Sequence, residues 1–446
     1  MIFSLFGTAF HEVLGLTYLQ INTIASLLAL GMYLCNPVLG YFADCYGPAS
    51  LSLVSVWLFC PSYFINAILV RSLHENSLSP FYVYSFGIAF SFIGLATSSL
   101  YFSSLLTCAK IYPHRKGLAI SLPITCYGVS SLIGSQLMKL PYFKDGKFLD
   151  LNRVFTFFAG LYLFIGILNF VSISIVSIES DIIFEETRLL EDPETEYQYT
   201  ANRSNSFSAV ETHEHDLDLD SDSDDNSLLP QRSIVEPVNH RQRFLLFIKD
   251  PSAWLLLVSL MLNLGPLEAF QNNLGSIVKN LSANDDISNQ LSVLATSSTV
   301  ARLLIGGISD YLASPERKWP LCRIWLLAIA IAFGVAGQFS ATLTDEFTTT
   351  TALNGASYGG IFTLYPTVVA TIWGVDMMGT TWGSFMVAPA IGSVSYSLLY
   401  GKLIDSGNLQ YVRYYFQISG YSILLSLVCV LVVWKGIWWN RGFKLF

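Results

Sequence analysis

Charge is scarce in this chain. Asp, Glu, Lys and Arg supply 13% of the 446 residues, well under the share a soluble domain carries, while 52% are hydrophobic and the mean hydropathy is +0.50. That scarcity excludes an ordinary water-soluble globule, because so apolar a chain needs lipid as its solvent. Cysteine is also sparse and unpatterned. The seven cysteines, Cys35, Cys45, Cys60, Cys108, Cys126, Cys322 and Cys429, form no CxxC pair. A disulfide framework or a zinc site is therefore not expected, and they read as packing residues. Catalytic signatures are missing too. There is no GxSxG, no HExxH, no Gly-rich phosphate loop and no metal-ligand spacing. We expect no enzyme, no cofactor and no metal, and any transport would run on gradients of ions or solutes rather than on ATP. No basic stretch suggests nucleic acid as a partner.

Long apolar runs are abundant. A spanning helix needs about 20 mostly apolar residues. Eleven segments qualify, near 21–43, 50–70, 82–108, 117–138, 154–178, 253–277, 290–312, 321–341, 349–373, 380–402 and 412–434. The chain is thus expected to be an all-α membrane protein with the lipid bilayer as its first partner. Five segments precede a polar insert and six follow it, as if one helix were short in the first half. Residues 1–20 read as its remnant: Ile2–Phe10 is apolar, but His11 and Glu12 interrupt it. This stretch lacks the basic region and small-residue cleavage site of a secretory signal.

The net charge of −8 comes from one place. Residues 179–236 hold 17 acidic and 3 basic residues, and the rest of the chain is mildly basic. Poor in aromatics and rich in Asp, Glu, Ser and Asn, this insert is expected to be disordered. Placing it in the cytoplasm puts twelve basic flanking residues on its side and eight on the other, as the positive-inside rule prefers. The resulting division is a first-helix remnant at 1–20, an N-terminal bundle at 21–178 and an acidic loop at 179–250. A C-terminal six-helix bundle at 251–434 and a tail at 435–446 complete it.

The two halves repeat each other. Asn36-Pro-Val-Leu-Gly40-Tyr-Phe-Ala-Asp44 and Arg302-Leu-Leu-Ile-Gly306-Gly-Ile-Ser-Asp310 share a polar-xxx-Gly-xxx-Asp pattern, 266 residues apart. The i, i+4, i+8 spacing sets all three on one helix face. Gly40 and Gly306 allow close approach of another helix. Asp44 and Asp310 can accept hydrogen bonds from an opposing helix N-terminus, whose dipole favours an anion. Repeats of this kind point to transporters that rock one bundle against another around a midplane site.

With these stretches in view, the chain resembles the major facilitator superfamily, whose signature loop follows the second and eighth helices. More narrowly it is similar to the fungal monocarboxylate-permease homologues of the nodulin-like branch. That resemblance rests on Gln20–Ser26, Gly31-Met-Tyr33, Ser104–Thr107, Leu122–Gly128, Gly265-Pro-Leu-Glu268 and Ala388–Ser393. It implies a twelve-helix fold of two pseudo-repeated six-helix bundles, here with a truncated first helix and about eleven full spans, and a vacuolar membrane address. Two departures stand out. No basic residue follows Asp44 in Cys45-Tyr-Gly-Pro48, and Ser298 occupies the place where animal monocarboxylate carriers have an Asp four residues before the Arg.

Arg302 is the strongest single signal, because a guanidinium inside an apolar helix is costly and needs an anionic partner. It either binds a carboxylate substrate through its planar fork or serves a structural pair, snorkelling toward the nearer edge. Glu268, two residues after Pro266, is suited to carrying a proton or, alternatively, to pairing with Arg302. Asn36 occupies the repeat position of Arg302 and can line the same cavity. Tyr101, Tyr358 and Tyr365 are cavity candidates by resemblance to the family's inward-facing fourth and tenth helices, with packing as the plainer reading. Glu185-xxx-Leu189-Leu190 and Asp224-xxx-Leu228-Leu229 read as acidic-dileucine signals for a sorting adaptor. The leading expectation is a monomeric secondary transporter of a small carboxylate, with a proton, by alternating access. The alternative is a membrane sensor or scaffold that signals through the acidic loop.

Overall fold

The computed structural model describes residues 18–75, 80–112, 115–138, 140–145, 148–190, 240–281, 287–314, 321–343, 347–404 and 409–442, with Phe6, Ala9, Phe10 and residues 13–16 ahead of them. All eleven apolar segments appear as helices. The first is broken into α1 (Tyr18–Leu34) and α2 (Asn36–Tyr46). Then come α3 (Pro48–Glu75), α4 (Pro80–Ile111), α5 (Lys116–Leu137) and α6 (Leu151–Leu190). A two-residue β-ribbon, Lys144–Asp145 paired antiparallel with Phe148–Leu149, sits between α5 and α6. The second half has α7 (His240–Lys249), α8 (Pro251–Asn272), α9 (Leu274–Leu281), α10 (Ile287–Leu312) and α11 (Arg323–Leu343). It ends with α12 (Phe347–Ile372), α13 (Met378–Phe385), α14 (Val387–Ile404) and α15 (Leu409–Val432).

Among the described residues, eight stretches are long and apolar enough to cross a membrane: α1–α2 together, α3, α4, α6, α8, α10, α11 and α15. Helices α5, α12 and the α13–α14 pair occupy the other three segments. Their composition follows from their surroundings. Helix α12 buries nearly every residue against other helices, so it can carry threonines, serines and glycines that a lipid-facing helix cannot.

Two bundles result. In the first half α3 packs on α4 and α6, and α1 packs on α4. In the second half α12 packs on α10 and α11, while α8 packs on α14 and α15. Polar glue joins the first bundle: Asn169 of α6 donates to Ser52 Oγ of α3 at 2.7 Å, and Ser52 meets Ser103 of α4 at 2.7 Å. The halves meet along α2 with α13, α5 with α10, and α1 with α14. The two helices that cross between the bundles, α1–α2 and α13–α14, are broken at Cys35 and Met386. Pro37 and Pro389 follow those breaks, and a proline has no N–H to give to the preceding turn.

Both ends of the acidic loop differ from expectation. The composition predicts a loop from 179, yet α6 runs on to Leu190. Glu, Arg and Leu are good helix formers, and charged groups leaving the membrane need no burial. The first acidic-dileucine stretch, Glu185 to Leu190, therefore lies on the last turns of a helix rather than in an extended loop. The loop also closes early. Helix α7 covers 240–249 and is anchored by Phe247, whose ring packs 5.3 Å from Trp373 and 6.0 Å from Phe385. The second stretch, with Asp224, Leu228 and Leu229, lies outside the described residues, as do His11 and Glu12. Within the first twenty residues, Phe6 and Phe10 are buried in the core of the first bundle. Phe6 lies 5.3 Å from Phe155, and Phe10 lies 5.5 Å from Phe86 and 5.9 Å from Phe90.

Candidate functional site

The repeated Gly-xxx-Asp motifs form a pair of matching joints at the end of the bundles that carries the acidic segment. In the first, α2 crosses α13 so closely that a Cβ on Gly40 would overlap the carbonyl oxygen of Gly379. Asp44, one turn on, accepts from Gly379 N at 3.1 Å, Thr380 N at 2.6 Å and Thr380 Oγ1 at 2.7 Å. Its carboxylate caps the N-terminus of α13, where unpaired N–H groups point outward. In the second joint Gly306 of α10 lies against Ser121 and Gly117 of α5, and Asp310 accepts from Gly117 N at 2.8 Å and Leu118 N at 2.7 Å. Each joint ties one bundle to the other.

The joints differ in their further partners. Asp310 also pairs with Arg323 at 3.1 Å, and Arg323 reaches Ser309 and Thr371. At the first joint, Thr380 contacts His240, the first described residue after the acidic segment, at 3.1 Å. No basic residue follows Asp44 in sequence, but Lys110 of α4 and His240 of α7 stand within electrostatic reach of its carboxylate. Neither Thr380 nor His240 stands out in the sequence.

Two turns deeper lies a cluster of polar side chains. Arg302 on α10 is buried, and its Nη1 donates to the Ile124 carbonyl of α5 at 2.9 Å. Its guanidinium sits over the Tyr358 ring, 5.7 Å from the centroid, a cation–π distance. Gly128 makes room for it: an added Cβ would lie 2.7 Å from Nη1. The Nε of Arg302 has no hydrogen-bond partner among the described residues. Glu268 on α8 is also buried, and its Oε1 accepts from Tyr33 Oη at 2.7 Å and from Tyr358 Oη at 3.5 Å. Ser393 of α14 lies beside the same carboxyl and accepts from Asn272 Nδ2 at 3.4 Å.

The alternative in which Arg302 and Glu268 pair with each other is not realised. Among the described residues the ion pairs are Arg153–Asp150, Arg323–Asp310 and Arg441–Asp250. Tyr358 stands between the two charges instead, with its hydroxyl toward one and its ring under the other. Snorkelling is not realised either, since the Arg302 guanidinium is held by Ile124 and Tyr358 inside the bundle interface. A pocket lined by Gly128, Gln271, Leu294, Ser298, Thr299 and Arg302 opens beside it, between α5, α8 and α10.

Other candidates fall in different places. Tyr101 joins the cluster: it is within electrostatic reach of Arg302, its buried hydroxyl lies beside the Trp382 side chain, and its ring is 6.2 Å from Tyr127. Tyr365 does not. It is fully buried in the second bundle and shares a 2.7 Å hydrogen bond with Ser259 of α8, so it is a packing residue. Asn36 is buried at the crossing of α2 on α13, where its backbone carbonyl lies against Gly383, and its Oδ1 has no partner among the described residues.

Sequence reasoning missed Tyr33, Tyr127 and Ser393. A signal existed for Tyr33. It precedes Asn36 by one turn and continues the face of Asn36, Gly40 and Asp44 inward. Tyr127 is partly exposed at 37% although it stands mid-helix, within reach of both Glu268 and Arg302, so it faces the cavity.

A buried cation with a free N–H and no carboxylate partner, next to a buried carboxyl held by two tyrosines, is suited to an anion and a proton. Comparisons with known proteins agree on the kind of molecule. The Major Facilitator Superfamily model matches residues 1–396. The chain is 55% identical over its whole length to the probable transporter MCH1 of Debaryomyces hansenii, spanning 90% of it. It is 52% identical to that of Candida albicans, spanning 100% of this chain and 90% of that one. For that of Saccharomyces cerevisiae the figures are 37%, 97% and 85%. In fold it matches the Escherichia coli fucose:proton symporter FucP with a TM-score of 0.60 at 11% identity, covering 97% of this chain and 96% of that one. For the proton:xylose symporter XylE the TM-score is 0.62 at 14% identity, with 97% and 90% covered. The chain belongs to the Major Facilitator Superfamily, as a multi-pass membrane transporter and not an enzyme.

Proposed function

We propose that the protein is a secondary transporter that carries a small organic carboxylate, together with a proton, across the vacuolar membrane by alternating access. The observation that carries this reading is Arg302: a buried guanidinium with, among the described residues, an unpartnered Nε and no carboxylate at ion-pair distance. An ionised group taken out of water needs a counter-charge, and a substrate anion admitted between the bundles as they rock would supply one. A single cation suits a monoanion. Glu268 is the proton carrier in this reading, and Asn36 and Tyr101 contribute polar edges to the path. Gly40, Asp44, Gly306 and Asp310 form the gate on the cytoplasmic side, which must part when the bundles rock. The address rests on the acidic-dileucine stretches around Leu190 and Leu229, which would meet a sorting adaptor. The symporters with the same fold couple to protons by their names, and one chain, with both bundles, is proposed as the working unit.

The scaffold reading draws on one contact, that of His240 with the first joint. Uptake of labelled monocarboxylates into vesicles under an imposed pH gradient separates the two. Removing residues 191–235 is expected to leave uptake within about twofold of the full chain, because the cluster and both joints lie outside that segment. Abolished uptake in the shortened chain would favour the loop as the working part. No uptake in either chain would overturn the transport reading.

A further inference from the structure

We propose that the hydrogen bond from Tyr33 to Glu268 is a proton-sensitive clasp between the two bundles. It rests on the reading of Glu268 as the site that takes up the proton.

The two partners belong to different halves of the molecule. Tyr33 stands on α1 of the first bundle and Glu268 on α8 of the second, 235 residues away in sequence. Their 2.7 Å bond is buried, deeper than either joint at the end of the bundles. The groups around the carboxyl come from every helix packed on it. They are Tyr33 from α1, Tyr358 from α12 and Ser393 from α14, with Tyr127 of α5 within electrostatic reach. Arg302 of α10 stands beyond ion-pair distance, behind the Tyr358 ring. Of the two tyrosine hydroxyls that donate to Glu268, only the one on Tyr33 crosses between the bundles.

The chemistry of the bond depends on one proton. An ionised carboxylate accepts from a phenol in a charge-assisted bond, about twice as strong as a neutral one. In a dry interior the difference is enlarged, because no water competes for either partner. A protonated Glu268 offers a weaker acceptor and has a hydrogen of its own to place. The arrival of a proton therefore loosens a bond that holds the two halves together, and its departure tightens that bond. Proton occupancy and the relative position of the bundles become linked through one contact, without an ion pair. Tyr33 is in this sense a positioning residue: it touches the proton site and reports its state to the opposite bundle.

Spin labels measure the bundle separation without any transported solute. With the seven native cysteines replaced, Tyr142→Cys and Leu343→Cys put one label on each bundle, at exposed positions away from the cluster. The distance distribution is recorded in lipid nanodiscs at neutral and mildly acidic pH. For the otherwise unaltered chain we expect the ratio of the two distance populations to change about five- to tenfold, the spread between a charge-assisted and a neutral hydrogen bond. Glu268→Gln should abolish the change. Tyr33→Phe, which removes one oxygen and keeps the ring, should reduce it to less than about twofold. The melting temperature of Tyr33→Phe in the same nanodiscs checks that it is folded, and Tyr33→Leu provides a second variant lacking the donor. If the change survives both Tyr33 substitutions but not Glu268→Gln, Glu268 remains the proton site and the clasp is overturned. If the parent chain shows no change at all, both readings fall.

Discussion

Arg302→Ala is expected to lower uptake per folded molecule by about 100-fold or more. A guanidinium fork makes two charge-assisted hydrogen bonds to a carboxylate, together worth about 3 kcal/mol, and each 1.4 kcal/mol is about a factor of ten. Arg302→Lys keeps the charge but presents a point donor on a flexible stem, so it should recover part of the loss. The structure sharpens this expectation in one respect. Nη1 is already engaged by the Ile124 carbonyl, so the free edge of the guanidinium is the one carrying Nε. A lysine cannot serve both directions at once. Initial rates of labelled-monocarboxylate uptake, normalised to correctly folded protein, measure the effect. Unchanged rates in both variants would remove Arg302 from the binding site. A fall in melting temperature with no loss of rate per molecule would make it a structural residue.

Gly40→Ala should shift the protein away from the state described here by a comparable factor. The new Cβ would occupy the space of the Gly379 carbonyl oxygen, a backbone atom that cannot turn aside. Helices α2 and α13 must then separate, and the three hydrogen bonds that Asp44 accepts from Gly379 and Thr380 stretch or break. Bonds to a charged acceptor are worth about 1.5–3 kcal/mol each, so losing even two shifts the balance between closed and open joints by about 100-fold. Asn36, buried just inside the joint, is the reporter. In a chain without native cysteines, Asn36→Cys should react slowly with a membrane-impermeant maleimide applied from the loop side, and about 100 times faster when Gly40→Ala is added. Asp44→Asn should act in the same direction but less, because the amide oxygen still accepts. Equal reactivity with and without Gly40→Ala would show that the α2–α13 joint does not close that end.

Much of this arrangement was legible in the sequence, and the reasons are physical. A run of apolar residues long enough to span lipid leaves no other solvent for the helix, so the eleven segments stand out in the sequence, but the breaks that split the first and the tenth into two helices each do not. The joints were legible because each is written on a single helix face at i, i+4 and i+8, and because the motif occurs twice. What could not be read was the direction in which a helix turns toward its neighbours. Tyr358 and Tyr365 stand seven residues apart, two turns along nearly the same face of one helix, yet one meets Arg302 and the other Ser259, because different neighbours lie at the two depths. Arg302 and Glu268 were natural partners by charge. That a tyrosine separates them depends on the rotation of three helices. The end of α6 was misplaced for a different reason: acidic residues mark an exposed segment, but they are also compatible with a helix that continues past the membrane edge. His240 carries no signal in the sequence because its importance comes only from where α7 docks.

An alternating-access transporter exposes one buried site to the two sides of a membrane in turn. Counterflow detects that exchange without knowledge of the coupling ion. Purified protein is sealed in liposomes loaded with a high concentration of an unlabelled monocarboxylate, and a trace of the same compound carrying a label is added outside. Across a panel of such acids, at least one label should accumulate transiently above its equilibrium level and then decay, as exchange through an alternating site requires. Monotonic equilibration for every acid tested, at the rate of protein-free liposomes, would contradict the account.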